Sequence, residues 1–159
     1  MVVLIVVGLM STVLTLGMDS LHARDERQAL QRLRLVLEAS AERAAVRGRP
    51  VQVELLSDAY RFMTLDADDR WRALIDPPLF VERRLPATLR WAGLQRGGVD
   101  AGHHMQLLFG SQAPEFELRI HTPEGEARLS GRANGEVRLQ LPGSTSPPAP
   151  GEVSSGVSS

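Results

Sequence analysis

The sequence contains no cysteine and no lysine, no charged residue before Asp19 and no proline before Pro50. Without cysteine there is no thiolate nucleophile, no cysteine-ligated zinc and no disulfide. That absence fits an oxidising compartment as well as a reducing one. Without lysine, all 18 cations are arginine, which we read as GC-rich, bacterial coding and not as a phosphate-binding design. They face 19 Asp+Glu, for a formal net charge of −1, so no global field draws nucleic acid or an anionic membrane surface to the chain. Of the 159 residues, an apolar start and a polar end leave roughly 95 for one compact core.

The charge-free stretch is Met1 to Met18, MVVLIVVGLMSTVLTLGM. As a helix it would cover about 27 Å, the short end of what spans a bilayer. A cleaved secretory signal would need a basic start, a shorter apolar run and a small-x-small cleavage site. Leu21-His22-Ala23 is a poor one. We therefore expect a transmembrane anchor at 1–18. Because no proline intervenes, one helix can continue through Asp19–Arg47. In that second half Leu30, Leu33, Leu37, Ala41 and Ala44 recur at three- and four-residue steps and share a face. Arg32, Arg34, Glu38, Glu42 and Arg43 mostly occupy the rest. The window from His22 to Gln28 is almost wholly polar and is expected to stand free between lipid and head. Gly48 offers a left-handed cap and Pro50 forbids continuation, so the predicted helix is about 70 Å long, a stalk.

From Val51 the period drops to two. Val51, Val53 and Leu55 alternate with Gln52 and Glu54; Tyr60 and Phe62 flank Arg61. Phe116, Leu118 and Ile120 alternate with Glu117 and Arg119, and Val137, Leu139 and Leu141 with Arg138 and Gln140. Such half-apolar strands suit antiparallel sheets with one wet face. Turn residues punctuate them at Ser57-Asp58, Asp76-Pro77-Pro78, Pro123-Glu124-Gly125 and Asn134-Gly135. The last predicts a hairpin between Ala127–Leu129 and Val137–Leu141. Arg96 to His104 reads as a flexible loop. Beyond Leu141 too few apolar groups remain to offset ordering entropy, so 142–159 is expected to be disordered. The predicted organisation is thus 1–18 anchor, 19–47 amphipathic helix, 48–141 β-rich head and 142–159 tail. The fold class is α+β.

No constellation carries chemistry. Adjacent histidines such as His103-His104 point to opposite faces of a strand, and no ligand-like partner is spaced for a metal. Asp66, Asp68 and Asp69 open like a calcium loop, but Trp71 and Pro77 stand where its glycine and glutamate are required, so a solvated turn is expected. There is no Gly-x-Ser-x-Gly elbow, Gly97-Gly98 lacks the Gly-Lys-Ser/Thr of a phosphate loop, and His121 falls inside an alternating strand. Tyr60, Trp71 and Trp91 lie among mixed charges and are expected in the core, not stacked on bases. We assign no catalytic, cofactor-binding or metal residue, no cofactor, no small-molecule substrate and no nucleic-acid partner.

Several segments carry a resemblance. MVVLIVVGLM resembles the interior of a type IV pilin-like N-terminus. Ala41 to Leu56, Tyr60-Arg61-Phe62, Trp71-Arg72-Ala73-Leu74, Arg83-Arg84-Leu85-Pro86, Met105 to Ile120 and Gly131 to Leu141 resemble the minor pseudopilin H family of the type II (general) secretion system. In the family's Pro-Phe-Glu-Leu-like strand, Glu115 is inserted here between Pro114 and Phe116. The family's Gly-Phe-Thr-Leu-x-Glu processing motif is not in the chain. By register Met1 falls just past its glutamate, and we expect the motif, with its cleavage and N-methylation, upstream in the gene.

The resemblance implies a pilin-like fold and a structural, non-enzymatic protein held single-pass in the bacterial inner membrane with its head in the periplasm. It implies partners among the other minor pseudopilins and the major one, near the tip of a filament that helps drive folded proteins across the outer membrane. Val2, Val3, Leu4, Ile5, Val6, Val7, Leu9, Val13, Leu14 and Leu16 are the candidate membrane and assembly residues. Leu30, Leu33, Leu37, Ala41 and Ala44 are the candidate face that seats the head. Two rival readings are a DNA-binding minor pilin of a competence system and a membrane-tethered periplasmic enzyme. The first would be expected to carry arginines near the C-terminus, where Arg138 is the last; the second would need a convergent polar pocket.

Overall fold

A computed structural model describes the backbone of residues 2–144 and the side chains of residues 22–144. Its first element is one helix, α1 (Val2–Arg47), of 46 residues. It stops where the sequence predicts: Gly48 adopts φ +62°, a left-handed cap, and Pro50 offers no N–H to extend the ladder. Among the described residues no helix is long and apolar enough to cross a membrane. The run 1–18, on which the expected anchor rests, has its side chains outside that set, as does the expected tail from 145 onward.

Ten strands follow among the described residues: β1 (Val51–Leu55), β2 (Ala59–Leu65), β3 (Trp71–Ala73), β4 (Arg83–Arg84), β5 (Arg90–Arg96), β6 (Val99–Asp100), β7 (Gln106–Phe109), β8 (Phe116–Thr122), β9 (Gly125–Gly131) and β10 (Val137–Gln140). They form two antiparallel sheets. The first runs β3-β2-β1-β7, with β4 also on β2; the second runs β10-β9-β8-β5-β6. The expected α+β architecture, a long N-terminal helix packed on antiparallel sheets, is therefore the one found.

Alternation decides which face is wet. Val51, Val53 and Leu55 are buried between half-exposed Gln52 and Glu54; Phe116, Leu118 and Ile120 are buried while Glu117, Arg119 and His121 turn outward. The inner faces of both sheets and the buried stripe of α1 share one apolar cluster, which Phe109 of the first sheet and Phe116 of the second join edge-to-face at 6.3 Å. Phe116 also fixes a residue type across the ladder. A Cβ on Gly131 would lie 2.0 Å from its Cε1, so only glycine fits opposite this ring.

The structure corrects four expectations. Arg96–His104 is not one loop: Gly97 and Gly98, at φ +54° and +79°, make a two-residue turn that pairs Arg96 with Val99 and Gln95 with Asp100. Two consecutive positive φ values match the right-handed strand twist, so Gly-Gly there is a hairpin signal. Trp71 is not a core aromatic, because β3 is an edge strand of three exposed residues and its indole is 42 % exposed. Leu141 lies beyond β10, which ends at Gln140 with Leu139 only half-buried. Nor does the helix stand free at 22–28: Glu26 is buried, and Arg27 reaches Glu124 of the β8–β9 turn at 4.0 Å.

Candidate assembly helix and its seat

The candidate site is α1 itself, the element that carries both the candidate assembly residues and the candidate seat of the head. On its described part a straight register faces inward: Glu26, Leu30, Leu33, Leu37, Ser40 and Ala44 are all buried, at alternating steps of four and three. Val36 and Ala41 widen this stripe on either side. Leu30, Leu33, Leu37, Ala41 and Ala44, the predicted face, thus all lie in the shared apolar cluster. Sequence reasoning passed over Val36, Ser40 and Glu26. Ser40 is tolerated because its hydroxyl donates to the Val36 carbonyl four residues back at 2.7 Å, which satisfies the buried oxygen locally. The signal was the spacing, since 26, 30, 33, 37, 40 and 44 form an unbroken four-three series despite two polar members.

Both sheets hold this face. The helix rests on β1 and β7 of the first sheet and on β10 of the second. Ala41 allows the Asn134-Gly135 turn to come close, with 3.2 Å between its Cβ and the position a Gly135 Cβ would take. Glu38 ties the helix to the second sheet: its Oε1 accepts the Val137 N–H at 3.1 Å and the Arg34 guanidinium at 3.1 Å. Without it the edge strand β10 would present that N–H unpaired. Arg43 ties the other flank to the Asp76-Pro77-Pro78 turn, with Nη1 2.6 Å from Asp76 Oδ2 and its guanidinium 5.0 Å above the Phe80 ring. Toward the N-terminal side, Ala23, Glu26, Arg27 and Leu30 face Thr122, Glu124 and Leu141 across a cleft of about 340 Å³.

The candidate assembly residues Val2, Val3, Leu4, Ile5, Val6, Val7, Leu9, Val13, Leu14 and Leu16 belong to the span of α1, but their side chains lie outside the described residues. The polar candidates are dispersed. His103 and His104 are exposed after β6, and His121 is exposed on the outer face of β8. Among the described residues no three His, Asp or Glu side chains gather to hold a metal. The carboxylate of Asp66 is occupied within its own hairpin: Oδ1 accepts the N–H groups of Asp68 at 2.8 Å and Arg70 at 3.0 Å, and Oδ2 lies 2.6 Å from Arg72 Nε. The Arg70 N–H above all, with smaller contributions from the Asp68 N–H and Arg72, holds this carboxyl below the ordinary carboxylate range, and desolvation, the second-largest influence, opposes them. Tyr60 is buried, and burial pushes its phenol up, opposed by Arg83 and Arg32. Trp91 is half-buried and donates its indole N–H to the Leu56 carbonyl, which fastens the second sheet to the first.

No protein-family profile and no curated protein sequence matches the chain. Solved structures do. Two structures of EpsH, the minor pseudopilin of the type 2 secretion system of Vibrio cholerae, superpose with TM-scores of 0.60 and 0.62. Each is 21% identical, and the matches cover 75% and 77% of this chain and 98% of the solved EpsH chain in both cases. The solution structure of E. coli GspH gives 0.57 at 20% identity, over 78% of this chain and 93% of that one. One helix laid across two antiparallel sheets is, in this chain, the fold of the minor pseudopilin EpsH.

Proposed function

We propose that the chain is a structural minor pseudopilin of a type II secretion system. The observation that supports this reading is the fold likeness over nearly all of the solved EpsH chain, combined with a helix that continues past the seat of the head. In this reading the uncharged half of α1 lies in the inner membrane, where a helix satisfies its own backbone groups, and the head stands in the periplasm. On assembly Val2 to Leu16 exchange lipid for the apolar helices of other pseudopilins, minor and major. Both surroundings are apolar, so transfer costs little and packing geometry selects the partner. The head, seated through Leu30, Leu33, Leu37, Ala41 and Ala44, is carried near the filament tip, and growth of the filament pushes folded proteins toward the outer membrane. This chain contributes shape and contact, not catalysis.

The chain has no cysteine, so introduced cysteines report without background. Leu9→Cys, expressed with the secretion system of its own host, is expected to fractionate with the inner membrane. It should also form disulfide adducts with pseudopilins that carry a cysteine in the corresponding helix. Recovery in the soluble fraction with no adduct would overturn the proposal.

A further inference from the structure

The outer face of the second sheet contains an arginine that the fold seats but does not neutralise. Arg119, on β8, is half-buried, and its Nε is enclosed without a hydrogen-bond acceptor. Among the described residues it takes part in none of the ion pairs. Its guanidinium lies over Gly93 of β5, where a Cβ would stand 2.7 Å from Nη2. Gly93 directly follows the bulge of β5 at Ala92, where the register shifts between Trp91 and Gly93. Directly across on β9 is a second arginine, Arg128, whose Nε is 3.3 Å from Glu126. Like charges opposite one another in a ladder are unfavourable, and the fold leaves this pair without a shared counter-ion among the described residues. Gly93 and the bulge thus make room for the guanidinium and enclose its Nε, so that an acceptor arriving from outside is left the two terminal Nη groups of the fork.

We propose that Arg119, with Arg128 across the ladder, takes one carboxylate from an acidic side chain of a partner protein docked on this face. Charge argues for a single carboxylate and against a polyanion. Arg90, Arg119, Arg128 and Arg138 share the face with Glu117 and Glu126, and Glu136 at its border holds Arg138 at 2.9 Å. The face as a whole is nearly balanced; among the described residues Arg90 and Arg119 are its two arginines outside an ion pair, and of these only Arg119 has an enclosed nitrogen without an acceptor. A nucleic acid needs an extended basic field, whereas a carboxylate needs only the fork.

The test is a titration of the full chain in zwitterionic detergent, read from arginine Nε–H resonances. The probes are the peptide acetyl-Ser-Gly-Glu-Gly-Ser-amide and its glutamine twin. The glutamate peptide is expected to shift the Arg119 resonance saturably, and the twin to leave it unmoved. Arg119→Gln should weaken the response reported by Arg128 about 10-fold or more, the loss of one charged hydrogen-bonding partner. Gly93→Ala, which fills the seat, should weaken it in the same direction. If a variant fails to fold, the titration of the unaltered chain still decides. The proposal is overturned by an absent or unsaturable shift, by an equal response to the glutamine twin, by insensitivity to Arg119→Gln in a folded protein, or by tighter binding of duplex DNA at the same resonances.

Discussion

The carboxylate of Asp66 shows how a single residue can look like a ligand in sequence and act as a fastener in structure. Asp66-Ala67-Asp68-Asp69 has the acid density of a calcium loop, yet its first oxygen is committed to two backbone N–H groups of its own turn. Asp69 completes that turn at φ +57°, a conformation Asp tolerates better than most residues. Because these bonds favour the ionised form, the folded carboxyl titrates lower than the unfolded one. Its contribution is therefore present above the ordinary value of about 4 and is lost as pH falls below it through the folded value. Asp66→Asn keeps one acceptor but cannot titrate. Urea midpoints measured from neutral pH into acid should fall less steeply for Asp66→Asn than for the unaltered chain; parallel curves would assign the acid sensitivity elsewhere. Tyr60 carries the opposite sign, since its raised phenol favours the fold below about pH 10 and ceases to do so above.

At the scale of elements, legibility followed periodicity and failed where geometry interrupts it. The helix end, β1, β8 and the β9–β10 hairpin were readable because their apolar positions repeat without a break, from Leu30 to Ala44 and from Phe116 to Ile120. β5 was not, because its bulge at Ala92 slips the alternation between Trp91 and Leu94. β3, β4 and β6 are two or three residues long and exposed or at an edge, too short for any period to register. The seat of the helix was half legible. Its apolar members are visible in sequence, but Glu38 is not, since a glutamate on a wet helix flank gives no sign that it caps a strand. Glu38→Ala strips the Val137 N–H of its acceptor and should cost about 1–2 kcal/mol, while Glu38→Gln, which retains an acceptor, should cost less. Amide exchange checks this at one position. Val137 should lose protection in the alanine variant ahead of its neighbours on β9, and unchanged exchange there would show that the edge is held by something other than the helix.

For the whole molecule, the decisive arrangement is that neither sheet has a core of its own. The first sheet buries Val51, Val53, Phe62, Leu107 and Phe109, the second Leu94, Leu118, Ile120 and Leu129, and all of these meet in one cluster with Leu33 and Leu37 of the helix. A helix with this role is a keystone, and its removal should release both sheets together. The sequence supplies two reporters, since Trp71 lies on β3 of the first sheet and Trp91 on β5 of the second. In the single-tryptophan chains Trp91→Phe and Trp71→Phe, each fluorescence signal follows one sheet. Independent sheets would unfold at separate urea concentrations, whereas a shared core predicts coincident transitions. Leu37→Ala, at a position with no exposure, should cost about 2–5 kcal/mol and move both transitions down by the same amount. A shift confined to one tryptophan would mean that the helix belongs to one sheet and only leans on the other. Coincidence would mean that any force applied along α1 reaches both sheets at once, as the proposed function would require.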